Sequence, residues 1–240
     1  MSDETVEEKL QELYDAFEKI NEAELYISAE SHEEYSYGPW HDDWIWGYDD
    51  KVGIGGIIED AVRFARDCMN DCRYEEAVTI INRVMEVSVT VIDENMGDSF
   101  ELSLEQMVEE NLVYISLKEL ALNVLYSEYR LQPMDKRPEI LYEYFQYPYF
   151  KDIHIEDIFS VGREELTDTD AFLQSWIDYL MLQNGEPSTR LLKEAALYLY
   201  GSDGLVEIAR KCYTKHPSTY LDALLEYEKE HGFEKMIKIG

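Results

Sequence analysis

Residues 57–92 constrain the fold of this chain more than any other stretch, because they carry two consecutive amphipathic helical patterns. In the first pattern, apolar residues recur at steps of three and four and therefore share one helix face. These residues are Ile58, Ala61, Val62, Ala65, Cys68 and Met69. The second pattern places Tyr74, Ala77, Val78, Ile81, Val84 and Met85 in the same way. Neither helix buries its stripe alone, so the segment predicts an antiparallel helical hairpin that packs against further helices.

Helical patterns account for most of the remaining chain. Residues 1–27 predict an N-terminal capping helix, and residues 57–240 predict a stack of helices. Residues 28–56 lose this periodicity and are rich in aromatic residues, acids and glycine, which predicts a long ordered loop. The expected fold is therefore one all-α domain over residues 1–240, an irregular TPR-like α/α superhelix of antiparallel helix pairs.

One run departs from helical preference. Residues 87–92 are rich in β-branched side chains and in isolation are typical of a strand. No second strand-like run lies nearby in the sequence to pair with them, and a lone strand leaves its backbone groups unsatisfied. A continuation of the second hairpin helix is therefore favoured.

The charge of the chain restricts its partners. Its 240 residues include 52 acidic and 21 basic side chains, which gives a net charge of −31. Such a surface repels nucleic acid and anionic lipid, so a direct nucleic-acid or membrane partner is not expected. A solvated acidic surface is the simplest interpretation of this charge, and a basic protein or peptide partner is the more specific one.

The sequence also predicts a compartment. Its three cysteines, Cys68, Cys72 and Cys212, show no spacing typical of disulfides, which indicates a reducing environment. The acidic N-terminus does not resemble a secretory signal, and no window is apolar enough to span a membrane. A cytoplasmic protein is therefore expected.

The hairpin resembles a tetratricopeptide (TPR) repeat. The matching positions are Phe64, Ala65, Cys68, Ala77 and Ile81, and Cys72 stands where the family has a turn glycine. Because Val89 replaces the closing proline of the family, the second helix is expected to be longer than in a standard repeat. A weaker repeat-like match lies near the C-terminus, around Gly201 and Gly232.

Residues 37–240 also resemble the helical region that follows the zinc module of bacterial SWIM zinc-finger proteins. The similarity is carried by the segments WHDDWIWGYDD, DCRYEEAV, DGLVEIARK and HPSTYLDALLEYEKEHG. It implies a helical architecture. The zinc motif of that family, Cys-x-Cys followed by Cys-x-His, is missing, so neither zinc binding nor a nucleic-acid function is implied.

Acidic segments offer two candidate cation sites, and both match known patterns poorly. His41, Asp42 and Asp43 with Asp49 and Asp50 supply hard oxygen ligands, but their spacing follows no established metal motif. Residues 93–98 resemble a calcium loop whose glycine stands one place early and whose final glutamate is replaced by Leu104. Solvated acidic turns are the simpler interpretation.

The sequence gives equally little support for nucleophilic catalysis or for a zinc site. Cys68, Cys72, Cys212 and His216 would form a zinc site only if distant segments met, and Cys68 belongs to the buried stripe. The sequence contains no Gly-x-Ser-x-Gly elbow and no phosphate-binding loop. No metal, no cofactor and no catalytic residue are therefore predicted.

The most distinctive surface candidate is an aromatic and acidic cluster between residues 40 and 48. Aromatic residues anchor protein interfaces, although they also cover the open ends of helical stacks. The candidate partner-binding residues are Trp40, Asp42, Asp43, Trp44, Trp46 and Tyr48. The sequence therefore predicts a non-catalytic module that binds a basic peptide or protein on the concave face of its helical repeats. An acidic inhibitor or immunity-type protein that mimics nucleic acid, and a metal-dependent hydrolase, are the alternatives.

Overall fold

The computed structural model describes residues 2–35, 42–163 and 166–230, with the backbone alone for residues 31–35 and 42–45. The chain divides into two compact units, residues 1–120 and residues 121–240. Most described residues are helical, which confirms the predicted helical character. The first unit nevertheless contains a four-stranded sheet, so the prediction of an all-α chain is only roughly right.

The first unit alternates helices and strands. Its elements are α1 (Asp3–Asn21), β1 (Ile27–Tyr35), β2 (Asp42–Asp49), α2 (Ile54–Asn70), α3 (Tyr74–Met85), β3 (Ser88–Asp93), β4 (Ser99–Ser103) and α4 (Leu104–Glu109). Helix α1 begins after Ser2, whose hydroxyl accepts a hydrogen bond from the Thr5 amide. Helix α4 begins with a capping box, in which Ser103 and Gln106 satisfy each other's backbone amides.

The predicted helical hairpin is confirmed as α2 and α3. The residues of both apolar stripes are buried or half-buried. The chain reverses at Cys72, which has a φ of 59° and lies in the left-handed region that glycine favours. The predicted extension of the second helix is wrong, because α3 ends at Met85 and β3 begins at Ser88.

Residues 28–56 and 87–92 were expected to form a loop and a helix, and instead they supply three of the four strands. The sheet has the order β2-β1-β3-β4. The β1–β2 and β3–β4 pairs are antiparallel, whereas β1 and β3 are parallel and pair Ile27 with Val91. The run at residues 87–92 therefore does have strand partners, one adjacent in the sequence and one separated from it by two helices.

The two faces of the sheet differ in character. One face consists of buried apolar residues, namely Ile27, Ala29, Val89, Val91 and Leu102. Helix α1 of the same unit packs against β3. The opposite face, here called the open face, carries the alternate residues of each strand. Its described members are Ser28, Glu30, Gly47, Asp49, Ser88, Thr90, Ile92, Ser99, Glu101 and Ser103. The open face is therefore mainly polar and acidic.

The second unit is helical throughout its described residues. Its elements are α5 (Leu117–Leu131), which begins at the end of the first unit, α6 (Arg137–Tyr144), a 3₁₀ turn (Pro148–Phe150), α7 (Ile155–Ile158), α8 (Thr169–Leu180), α9 (Glu186–Cys212) and α10 (Thr219–Lys229). Pro138 lies in the first turn of α6. Gly201, with a φ of 66°, kinks α9.

The aromatic core of the second unit borders a part-buried polar cluster. The Arg137 guanidinium lies 4.0 Å from the centre of the Tyr129 ring and donates to an Asp168 oxygen at 2.8 Å. The Tyr129 hydroxyl donates to the other Asp168 oxygen, also at 2.8 Å. These three side chains tie α5 and α6 to the start of α8. No helix in the described parts of the chain is long and apolar enough to cross a membrane.

Candidate functional site

The predicted partner-binding residues lie on and beside β2, an edge strand of the described sheet. Trp40 falls outside the described residues. Asp42, Asp43 and Trp44 belong to β2, and only their backbone is described. The side chains of Trp46 and Tyr48 are described, and both are half-buried. The structure therefore brings five of the six predicted residues together on one strand.

Trp46 and Tyr48 occupy the helix-packed side of the sheet, not its open face. The Trp46 ring meets Phe100 of β4 edge to face, with 4.9 Å between ring centres. Burial and the nearby Glu110 charge raise the pKa of the Tyr48 hydroxyl. At least one aromatic residue of the predicted cluster therefore packs within the first unit. This agrees with the alternative that such aromatic residues cover part of the fold and do not bind a partner.

A depression of about 310 Å³ opens on the other side of the same strands. It is lined by Ser28, Ala29, Glu30, Gly47, Asp49, Lys51 and Glu94. Glu30 and Gly47 are direct partners in the β1–β2 ladder. Because Gly47 has no side chain, the space beside Glu30 stays unfilled on this strand.

Among the described side chains that line the depression, Lys51 is the only basic one. Its ammonium lies 2.9 Å from a Glu94 oxygen and 3.7 Å from an Asp49 oxygen. The hydrogen bond and charge of Glu94 raise the pKa of Lys51, and the hydrogen bond from Lys51 lowers the pKa of Glu94. Two carboxylates therefore pair with one ammonium, and because Glu30 also lines the depression, its described side chains keep an excess of negative charge.

Backbone contacts fix the position of these side chains. The Glu94 amide donates to the Ala29 carbonyl at 2.9 Å, which holds the β3–β4 turn against β1. At the end of β2, the two oxygens of Asp50 accept the Ile54 and Gly55 amides at 2.8 Å each. Gly55 is required there because a Cβ would stand 2.0 Å from the Leu112 carbonyl oxygen. The start of α2 thus anchors the segment that carries Asp49 and Lys51.

Comparison with protein-family models, with curated proteins and with solved structures finds no match to this chain.

The candidate cation sites find no support among the side chains that the structure describes, where no group of three or more His, Cys, Asp and Glu residues could hold a metal ion. Asp50 is engaged at the start of α2, and His41 lies outside the described residues. In the segment of residues 93–98, Asp93 is buried, and one of its oxygens accepts the Asn95 amide at 2.9 Å.

Three of the four candidate zinc ligands, Cys68, Cys212 and His216, are buried, and the fourth, Cys72, is exposed. Burial raises the pKa of the Cys68 thiol to about 11, and buried Cys212 donates to the Ile208 carbonyl. His216 is fully buried and makes one contact through each ring nitrogen, to Thr189 and to the Leu180 carbonyl. Burial lowers the pKa of His216. All three groups are therefore held in forms that suit a packed interior.

A second depression, of about 350 Å³, lies in the second unit beside His154. The His154 Nδ1 atom is 2.9 Å from a Glu194 oxygen, and Arg190 donates to the same oxygen at 3.0 Å. Ile155, Leu197 and Tyr198 contribute to the lining. A histidine oriented by a carboxylate is an arrangement used in catalysis, but no candidate nucleophile is among the residues lining this depression.

Sequence reasoning missed Ser28, Glu30, Lys51 and Glu94, because it treated their segment as a loop or a turn. A signal was present. Buried Ile27 and Ala29 alternate with Ser28 and Glu30, which is the period of a half-buried strand. The alternation covers only four residues before charged side chains dominate, so its weight against the surrounding irregular composition was small.

Proposed function

We propose that this protein is a non-catalytic binding protein of the cytoplasm that holds a basic segment of another protein on the open face of its sheet. The observation that carries the proposal is the depression lined by Glu30, Asp49 and Glu94, in which the Lys51 ammonium pairs with Glu94 and Asp49 and leaves Glu30 without an ion pair among the described side chains. Free cysteines support a reducing compartment. The interaction surface is placed on the sheet and not on a concave helical face.

The charge of the whole chain favours the same class of partner. A net charge of −31 attracts cationic proteins over distances that salt limits to about 8 Å at physiological ionic strength. Long-range attraction raises the association rate, but it does not select one surface. Selection requires carboxylates that are held in place, and the pairing of β1 with β2 and the Glu94–Ala29 hydrogen bond supply that rigidity.

The test is a titration of a fluorescent lysine-rich peptide into the protein, followed by anisotropy at low and at high salt. The double variant Glu30→Gln and Asp49→Asn removes two carboxylates without changing side-chain shape. Exposed ion pairs contribute about 0.2–1 kcal/mol each, so we expect binding to weaken by about two- to thirtyfold.

The matched control is the double variant Glu7→Gln and Glu8→Gln, which makes the same change in net charge on the exposed side of α1. It should leave the dissociation constant within about twofold of the unmodified protein. If both double variants weaken peptide binding equally, the peptide responds only to the overall charge of the protein, and the proposed site is wrong.

A further inference from the structure

We infer that the partner segment binds as an added β-strand along the free edge of β2, with basic residues at every second position. This inference rests on the proposed function and specifies the form of the bound segment. In the described sheet, β2 pairs with β1 on one side and with no strand on the other. Apart from that ladder, Trp46, Gly47, Tyr48 and Asp49 make no backbone hydrogen bond within the described part of the chain. Their outward amides and carbonyls are the groups that a peptide strand pairs with.

The depression is placed to receive side chains from such a strand. Neighbouring strands lie about 4.8 Å apart, so the Glu30 backbone would be about 10 Å from the added strand, with β2 between them. The intervening residue on the open face is Gly47, which presents no side chain. A lysine or arginine side chain can therefore lie across Gly47 and bring its charge to Glu30. The next open-face position of the added strand is beside Asp49, so cationic residues two apart fit both carboxylates.

Charge argues against a second copy of this chain as the added strand. Strand β2 carries Asp42, Asp43 and Asp49, and a second β2 would bring the same three acids to the edge. Like charges at a sheet edge are a common protection against self-pairing. A basic strand reverses the sign of that interaction, so the features that reject a copy of β2 attract the proposed partner.

The other described edge fits less well. Strand β4 has five residues, against eight in β2, and it runs directly into the cap of α4 at Ser103. Its open-face acid, Glu101, accepts a hydrogen bond from Ser88 at 2.7 Å. The residues that line the acidic depression belong to β1, β2 and adjoining turns, and none belongs to β4. The free edge of β2 is therefore the better site for an added strand than the edge of β4.

Peptide design separates strand addition from general attraction. The probe is a peptide of about eight residues, the length of β2, with lysine alternating with threonine. An isomer of the same composition with contiguous lysines has the same charge but cannot place all of them on one face of a strand. We expect the alternating peptide to bind about tenfold more tightly, because only its lysines all lie on the open face.

Two N-methylated forms of the alternating peptide test the backbone directly. Each form carries methyl groups on one of the two alternating sets of amides. In an added strand, one set donates to β2 and the other points to solvent, so one form should lose binding by about tenfold or more and the other should bind nearly as the parent does. Equal affinity of both methylated forms and the parent would overturn the inference.

Amide hydrogen exchange in the protein supplies the second readout. On binding the alternating peptide, alternate amides within residues 46–49 should exchange at least about tenfold more slowly. The amides of Phe100 and Glu101 on β4 serve as the internal control and should be unchanged. Protection on β4 in place of β2 would contradict the inference.

The outcomes distinguish the two proposals. If all the basic peptides bind with equal affinity and the Glu30→Gln and Asp49→Asn double variant weakens them, the proposed function stands and strand addition is wrong. If no basic peptide binds, both are wrong. Selective loss with one methylated form, together with slowed exchange on β2, supports both.

Discussion

Glu30 faces Gly47 directly across the β1–β2 ladder, so a carboxylate on one strand has open space beside it on the next. Two residues along, Ser28 faces Asp49. Small and acidic partners thus alternate between the two strands. This pairing leaves an acid-lined depression where a larger residue on β2 would have covered the Glu30 side chain.

The Gly47→Thr variant should fill this space. A β-branched side chain suits a strand, so folding stability should not fall, whereas affinity for the alternating lysine peptide should drop by about five- to tenfold because a cation no longer reaches Glu30. Anisotropy titration measures the affinity, and urea unfolding checks the stability. Ser99→Thr, on the same face of β4, is the control and should change neither quantity appreciably. Unchanged affinity in Gly47→Thr would show that the peptide does not cross this position.

Lys51→Gln makes a prediction of opposite sign. The Lys51 ammonium occupies the Glu94 and Asp49 carboxylates that an incoming cation would use. Its removal exposes both acids, and because exposed pairs contribute up to about 1 kcal/mol, peptide affinity should rise by about two- to fivefold. Lys19→Gln on α1 makes the same charge change away from the site and should have a smaller effect. Weaker binding by Lys51→Gln would mean that Lys51 contacts an acidic group of the partner.

The sequence predicted the helical hairpin and missed all four described strands, including the local pairs β1–β2 and β3–β4. The α2–α3 hairpin was recognised because each stripe faces a helix that follows within a few residues. Strand β3 was missed although Val87, Val89 and Val91 alternate with polar or half-buried residues. One partner, β4, follows closely but has only five residues, and the other, β1, lies about sixty residues earlier, where pairing is not visible in local periodicity.

A similar limit applies to the residues of the candidate site. Residue types in β2 pointed to the strand on which the proposed site lies, because aromatic and acidic residues are both conspicuous in a sequence. The direction of each side chain was not predictable without the strand assignment, since a shift of one residue exchanges the two faces. Trp46 was therefore considered for binding and packs against Phe100, while Glu30 and Lys51 were overlooked and line the depression.

Cys72→Gly should stabilise the first unit. Cys72 has a φ of 59° in the turn between α2 and α3, and the left-handed conformation costs an L-residue about 1–2 kcal/mol. Glycine removes this cost but gains freedom in the unfolded chain, so we expect a net gain of about 0.5–1 kcal/mol in the free energy of unfolding. Cys72→Ala keeps the Cβ and should give no such gain. If both variants stabilise the protein equally, the gain in unfolding free energy comes from removal of the thiol and not from relief of the left-handed backbone conformation.

Asp168→Ala should destabilise the second unit more than a typical surface substitution. Asp168 accepts hydrogen bonds from Arg137 and Tyr129, and Arg137 is only 7% exposed. Burial raises the pKa of Asp168, but these hydrogen bonds outweigh it and the net shift is downward. Loss of a charged hydrogen-bond partner costs about 1.5–3 kcal/mol, and the 41% exposure of the Asp168 side chain argues against the larger penalty of a fully buried pair.

The control for Asp168→Ala is Asp178→Ala, on the exposed side of the same helix. It should change the free energy of unfolding by no more than about 0.5 kcal/mol. Urea unfolding followed by near-ultraviolet circular dichroism suits both variants, because the aromatic rings around Arg137 report on the packing of this unit. A cost below about 0.5 kcal/mol for Asp168→Ala would show that water replaces the carboxylate without penalty.

His216 should make the second unit sensitive to mild acid. Its Nε2 atom lies 3.0 Å from the Leu180 carbonyl and must carry a proton, so in the neutral ring Nδ1 is an acceptor. The Thr189 hydroxyl lies 2.8 Å from Nδ1 and 3.1 Å from the Gly185 carbonyl, and these two acceptors share its one proton. Burial, with a smaller contribution from Lys215, lowers the pKa of His216 below the ordinary value of 6.5. Below that pH the unfolded chain takes up a proton that the folded chain does not, which favours unfolding.

The stability that neutral His216 contributes is therefore complete above pH 6.5 and is lost as the pH falls through the lowered pKa of the folded state. His216→Gln should cost about 1–3 kcal/mol near neutral pH, because buried hydrogen-bonding groups lose their partner. Urea unfolding of both proteins between about pH 7.5 and about pH 5 spans the range in which histidine titrates. The difference in unfolding free energy should shrink as the pH falls, because carboxylate titration is common to both proteins and cancels. A difference that stays constant or grows would mean that His216 is already protonated in the folded protein.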